Sequence, residues 1–106
     1  MNWIALIIAG IFEIGWPLGL KMSQQAENSK VLWILVAIIS MSVSGGLLWY
    51  SQKTIPIGTA YAVWTGLGAV GTLIVGIISF GDSASIYRLL SASLIVIGII
   101  GLKMAQ

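Results

Sequence analysis

Four long apolar stretches, separated by short polar segments, dominate the pattern along the chain. They cover about residues 3–22, 31–50, 56–80 and 87–104. A bilayer core of about 30 Å is crossed by a helix of about 20 apolar residues, because each residue advances the helix by about 1.5 Å. The pattern therefore predicts an all-α membrane protein with four transmembrane helices in each chain.

The segments between the apolar stretches are short and polar. They span residues 23–30, 51–55 and 81–86. Short connections place consecutive helices side by side in opposite directions. We therefore predict a single domain over residues 1–106, folded as an up-down-up-down bundle.

The composition indicates that lipid is the solvent for this chain. Hydrophobic residues make up 58% of the 106 positions and charged residues only 8%, whereas about 25% of the residues in a soluble domain are charged. The net charge of +2 is small and scattered, which argues against a nucleic-acid partner. The sequence has no cysteine and no histidine. We therefore expect no cofactor or metal, and too few groups remain for the active site of an enzyme.

One charged residue, Glu13, lies deep inside an apolar stretch rather than at or beside its ends. It stands about ten residues into the first predicted helix, near the bilayer midplane, where a charge costs at least about 2.5–3.5 kcal/mol. No basic residue stands at a comparable depth, so the carboxyl group is either protonated or ionised beside a cation or water. This alternation predicts a site that exchanges protons for a cation. The alternative is a neutral glutamate that only joins two helices by hydrogen bonds.

Three aromatic residues also lie well inside the predicted helices. Trp16 follows Glu13 by three residues, and Tyr61 and Trp64 have the same spacing in the third stretch. Each pair therefore shares one helix face. Indole rings attract cations, with about 2 kcal/mol per ring in a desolvated site. We predict that these rings line one cavity with Glu13; the alternative is that they only fill gaps between helices.

Small residues indicate where the helices bend or touch. Gly66 and Gly68 in the third stretch predict a hinge, or alternatively close packing without motion. Ser91 and Gly98 are seven residues apart on one face of the fourth stretch. We interpret this face as a contact between two chains.

The basic residues give almost no preference for one orientation in the membrane. One end of the predicted bundle carries three of them and the other end two: Lys21, Lys30 and Arg88 against Lys53 and Lys103. Because orientation follows such an excess, we expect insertion in both directions. Four helices are also too few to enclose a solvated path, so we expect an oligomer. If both orientations occur, two chains can form an antiparallel dimer.

Pro17 has two interpretations. Proline lacks the N–H group that would bond the carbonyl group four residues earlier, which is that of Glu13. Either this carbonyl group is free to accept a hydrogen bond from water or substrate, or Pro17 only kinks the helix.

Several runs of residues resemble the small multidrug resistance family of four-helix, proton-coupled cation exporters. They are FEIGW at residues 12–16, LK at 20–21, PIGTAYAVWTGLGAVG at 56–71 and GIIGLK at 98–103. The resemblance covers essentially the whole chain. Trp16 makes the chain most similar to the guanidinium-exporter branch, since the branch that exports quaternary ammonium ions usually has glycine at this position.

The resemblance implies a role for each candidate residue. Glu13 would bind protons and substrate in competition, Trp16 and Ser44 would orient its carboxylate, Tyr61 would form a hydrogen bond across the site, and Trp64 would line it. The implied partners are protons, membrane lipid and a small cation such as guanidinium or guanylurea.

The resemblance also implies a multi-pass protein of the bacterial inner membrane that works as an antiparallel homodimer. The fourth helices would pack together and the segment 66–68 would move during exchange; some family members pair as heteromers instead. The chain departs from the usual pattern at Pro17, at Ser91, and at Gly45 and Gly46, where larger residues are frequent. These two glycines would widen a gap between second helices.

The leading hypothesis is therefore a proton-coupled antiporter that exports guanidinium or a small substituted guanidinium by alternating access. One alternative is an exporter of quaternary ammonium or polyaromatic cations that uses the same residues. A more distant alternative is a membrane subunit that transports nothing.

Overall fold

The computed structural model describes residues 2–105, which form four α-helices joined by short connections. The helices are α1 (Asn2–Gln25), α2 (Lys30–Ser51), α3 (Ile57–Ser79) and α4 (Ile86–Ala105). Each of them is long and apolar enough to cross a membrane. The predicted fold class is confirmed, and the observed helix ends lie within three residues of the predicted ones. Residues 1 and 106 of the predicted domain lie outside the described residues.

α1 packs against both α2 and α3, whereas α4 packs mainly against α3. A buried apolar cluster of Leu6, Ile55, Ala60 and Val63 lies at the end of the bundle where α1 and α3 begin. In lipid, close packing rather than removal of surface from water drives helix association. This end of the bundle is therefore the tightly packed one.

Glycines let α1 and α3 touch where they cross. A β-carbon at Gly10 would lie 2.7 Å from Cβ of Leu67, and one at Gly71 would overlap the side chain of Ile14. Farther along, towards the end of α1, the two helices leave a groove between them, which begins at Ile14 and reaches Phe80. The crossing therefore separates the tightly packed end of the bundle from an open one.

The end of α3 is shaped by a turn that folds the chain back over the helix. The backbone N–H groups of Phe80 and Asp82 both donate to the carbonyl oxygen of Gly76, at 3.0 Å each. Between them, Gly81 has a φ of 70°, a left-handed conformation that glycine adopts without steric strain. As a result, the carboxylate of Asp82 lies against Gly76, where a β-carbon would otherwise stand.

One chain leaves much of its apolar surface uncovered. α4 has no buried residue among those described, and Leu94, Ile97 and Met104 on this helix are 63–80% exposed. Such a surface is unfavourable in water. It is therefore a surface for lipid or for a second subunit.

Candidate functional site

Glu13 lies at the crossing of α1 and α3, in contact with Gly68. A β-carbon at Gly68 would overlap Cγ of Glu13 and lie 3.0 Å from its Cβ. The glutamate side chain is only partly buried. The absence of a side chain at Gly68 therefore makes room for Glu13 between the two helices.

The carboxylate of Glu13 accepts a hydrogen bond from Trp16. The distance from Nε1 of Trp16 to Oε1 of Glu13 is 2.7 Å, and the two residues are three positions apart on α1. A hydrogen bond to a carboxylate is stronger than one between neutral groups. It fixes one oxygen of Glu13 and leaves the second oxygen available for another donor.

A buried serine joins the three helices around the site. Ser44 on α2 is fully buried; its hydroxyl group donates to the carbonyl oxygen of Ala9 on α1 at 2.7 Å. The same oxygen accepts a hydrogen bond from Nε1 of Trp64 on α3, also at 2.7 Å. Because an indole ring has only one N–H group, Trp64 is held by Ser44 and contributes a ring face rather than a hydrogen bond to its surroundings. The predicted role of Ser44 in orienting the carboxylate stays a prediction.

Tyr61 packs beside Trp64 on α3. Its ring centroid lies 5.6 Å from that of Trp64, and the two ring planes are tilted by 51°. This geometry is favourable for aromatic pairs. The tyrosine side chain is 56% exposed, so its hydroxyl group is accessible to a partner outside the chain.

A cavity of about 480 Å³ opens beside Glu13 on its α3 side. Its polar side chains come from α1, α3, the α3–α4 connection and α4, and they are Glu13, Thr65, Thr72, Asp82 and Arg88. A second cavity of about 260 Å³ shares Pro17, Thr72 and Asp82 with the first and extends to Lys21. Together the two cavities form a groove that leads from Glu13 to the end of the bundle. The lining of this groove does not include the other predicted site residues, which are Trp16, Ser44, Tyr61 and Trp64, so a cavity shared by these side chains and Glu13 stays a prediction.

Four of these cavity residues were not singled out from the sequence. Thr65 and Thr72 stand three residues before and four residues after Gly68, so helical periodicity alone places them on its face. Asp82 and Arg88 carry no such signal, because their position depends on the turn that ends α3.

The other predicted residues lie as follows. Pro17 is inside the continuous helix α1 and lines the cavity. Gly66 is also helical, and a β-carbon there would lie 2.9 Å from Cδ1 of Ile99 on α4. Gly66 and Gly68 are thus contact positions in this structure, and their role as a hinge stays a prediction.

Ser91 and Gly98, the two residues of the predicted contact between chains, are exposed on α4. A β-carbon at Gly98 would meet nothing within 4 Å.

Comparisons with known proteins find relatives that match essentially the whole chain. The family model described as "Small Multidrug Resistance protein" matches residues 1–103. A "Guanidinium exporter" of Proteus vulgaris is 54% identical over 106 residues, which cover 100% of both chains. A "Guanidinium exporter" of Escherichia coli (strain K12) is 49% identical over 105 residues, covering 99% of this chain and 98% of the relative. One of Yersinia pseudotuberculosis is 51% identical over 106 residues, which cover 100% of both chains.

Proposed function

Because the chain belongs to the Small Multidrug Resistance protein family, we propose that it is a proton-coupled antiporter that exports guanidinium or a small substituted guanidinium such as guanylurea. Its four spans and its family indicate a multi-pass protein of the bacterial inner membrane. The observation that carries the proposal is the carboxylate of Glu13, which Trp16 holds by a hydrogen bond at the inner end of an open groove. The proposed activity is transport and involves no catalysed reaction.

The chemistry of the site suits guanidinium. This ion is planar, and its N–H groups match the two oxygens of a carboxylate. The indole of Trp16 binds one oxygen of Glu13. Glu13, Thr65 and Thr72 line the cavity, and their side-chain oxygens are hydrogen-bond acceptors. A tetraalkylammonium ion has no N–H group, so it leaves these acceptors without a partner.

Competition for one carboxylate couples the two fluxes. Glu13 holds either a proton or the cation, since a protonated carboxyl group has no charge with which to bind a cation. A protein that changes the side to which Glu13 is accessible only in these two loaded states exchanges protons for cations. Export then follows from the proton gradient across the inner membrane.

A single chain does not enclose Glu13, and the working unit of the proposal is an antiparallel homodimer. The cavity beside Glu13 is open, and the face of α4 that contains Ser91 and Gly98 is exposed. Two copies packed through this face cover the exposed surface of α4. An antiparallel pair requires insertion in both directions, which an excess of only one basic residue at one end of the bundle permits. A paired heteromer is the alternative.

Flux in liposomes tests the proposal. Purified protein is reconstituted, a guanidinium gradient is imposed, and proton movement is followed with a trapped pH-sensitive dye. We expect coupled movement for the wild type and for Glu27→Gln, a change in the α1–α2 connection, and none for Glu13→Gln. Equal flux with tetraethylammonium would favour the quaternary ammonium alternative. Wild-type protein without flux for either cation would leave the non-transporting subunit as the better interpretation.

A further inference from the structure

The cavity beside Glu13 contains two charged groups that the exchange mechanism does not use. Asp82, in the α3–α4 connection, and Arg88, in the first turn of α4, both line it. We propose that Asp82 is an outer binding position for the substrate cation and that Arg88, on the same cavity, competes with the cation for its carboxylate. This inference rests on the proposed function, because it describes the route by which the cation reaches Glu13.

The turn at the end of α3 holds the carboxylate of Asp82 at the groove. Gly81 permits the chain reversal through its φ of 70°, and the N–H group of Asp82 is bonded to the carbonyl oxygen of Gly76. Because Gly76 has no side chain, the carboxylate lies against the helix instead of pointing away from it. Asp82 consequently lines both the cavity of Glu13 and the second cavity that leads to the end of the bundle.

The two carboxylates lie against positions of α3 that are about two helical turns apart. Glu13 lies against Gly68 and Asp82 lies against Gly76, and eight residues of helix separate the two glycines by about 12 Å. Guanidinium is much smaller than this distance, so it binds the two carboxylates in succession. Thr72, which lines both cavities, stands between them with a hydroxyl group.

Arg88 lines the same cavity as Asp82, and the two side chains form no ion pair among the described residues. The Nε atom of Arg88 is buried and has no hydrogen-bond partner among those residues, whereas the side chain as a whole is only partly buried. The Nε–H group is therefore a free donor close to the cavity. The side chain of Arg88 ends in a guanidinium group, which presents the same N–H donors as the proposed substrate. A carboxylate within reach of either guanidinium group is suited to accept hydrogen bonds from it, so Arg88 and the substrate compete for Asp82.

A purely structural role for Asp82 makes a different prediction. If Asp82 only neutralised Arg88, removal of both charges would restore normal behaviour. If Asp82 binds the substrate, removal of both leaves the defect in place. Four variants separate the two roles: Asp82→Asn, Asp82→Glu, Arg88→Gln and the double variant Asp82→Asn/Arg88→Gln. Glu27→Gln is the matched control, because Glu27 is an exposed carboxylate at the same end of the bundle.

The measurement is the KM for guanidinium in the liposome assay, at low and at high salt. We expect Asp82→Asn and the double variant to raise KM about tenfold, the effect of losing one charge-assisted hydrogen bond. Asp82→Glu keeps the carboxylate, so its KM is expected to stay close to that of the wild type. Arg88→Gln is expected to lower KM by up to about fivefold, because the guanidinium group of Arg88 no longer competes with the substrate for Asp82. The difference between wild type and Asp82→Asn should shrink in high salt, because added ions screen the attraction.

Two results would overturn the inference while leaving the proposed function intact. One is a KM for Asp82→Asn equal to that of Glu27→Gln, and the other is a double variant that returns to the wild-type KM. If Asp82→Asn gives too little folded protein, an unchanged KM in Arg88→Gln contradicts the inference instead. Failure of the proposed function looks different, since the wild type itself then shows no flux that depends on Glu13.

Discussion

The indole N–H group of Trp16 donates a hydrogen bond of 2.7 Å to Oε1 of Glu13, one helical turn earlier on α1. This bond stabilises the ionised carboxylate, because a hydrogen bond to a charged acceptor is stronger than one to a neutral carboxyl oxygen. It also selects which oxygen remains open to the groove. Trp16 thus affects both the charge of Glu13 and the direction of its free oxygen.

The first prediction is that Trp16→Phe weakens the binding of guanidinium. The variant keeps an aromatic ring but loses the N–H donor and one of the two fused rings of the indole. A hydrogen bond to a charged group contributes about 1.5–3 kcal/mol, so the KM at fixed pH should rise about tenfold or more. Trp49→Phe is the control, because Trp49 is 66% exposed and distant from Glu13 along the bundle. Equal KM values for the two variants would show that the bond is incidental.

The second prediction concerns the hydroxyl group of Ser44. Ser44→Ala leaves the N–H group of Trp64 and the carbonyl oxygen of Ala9 without their shared partner. An unsatisfied buried polar group costs about 1–3 kcal/mol, so the melting temperature in detergent should fall and KM should rise. Adding Trp64→Phe removes the indole N–H and should recover part of the lost stability. A single variant as stable as the wild type would contradict the proposed coupling of the three helices.

The sequence predicts one of these two pairs, Glu13 with Trp16, but not the other, Ser44 with Trp64. The four spans were predictable because lipid leaves few structures available to a long apolar stretch. Trp16 and Glu13 were also predictable as neighbours, since their spacing of three residues puts them on one helix face. The bond between Ser44 and Trp64 joins two helices across 20 positions, and no local spacing encodes such a contact.

The position of Asp82 was beyond prediction for another reason. In the sequence it is one acidic residue in a polar connection. Its place at the groove depends on the positive φ of Gly81 and on the missing side chain of Gly76. Both are properties of the folded turn, and glycine is common enough in this chain, with 13 copies, that its presence alone indicated no particular turn.

The third prediction is that Gly68→Ala impairs transport although alanine favours helices. A β-carbon at this position overlaps Cγ of Glu13, and overpacking of this kind costs about 1–3 kcal/mol. The carboxylate must shift, so flux should fall at least about tenfold. Gly58→Ala, on the same helix, is the matched control because its β-carbon would meet nothing within 4 Å. If both variants transported at the wild-type rate, the contact between α1 and α3 would not position Glu13.

The fourth prediction decides between the two interpretations of Pro17. Pro17→Ala restores the N–H group that bonds the carbonyl oxygen of Glu13, and it should stabilise α1, because proline inside a helix costs about 3 kcal/mol. If that carbonyl oxygen accepts a hydrogen bond from the substrate, the variant should be more stable and yet bind guanidinium about three- to tenfold more weakly. Pro17 lines the cavity together with Glu13, which is the position this role requires. Pro56→Ala, which precedes α3, leaves the carbonyl group of Glu13 untouched and controls for the loss of a proline. Higher stability with unchanged affinity would mean that Pro17 only shapes the helix.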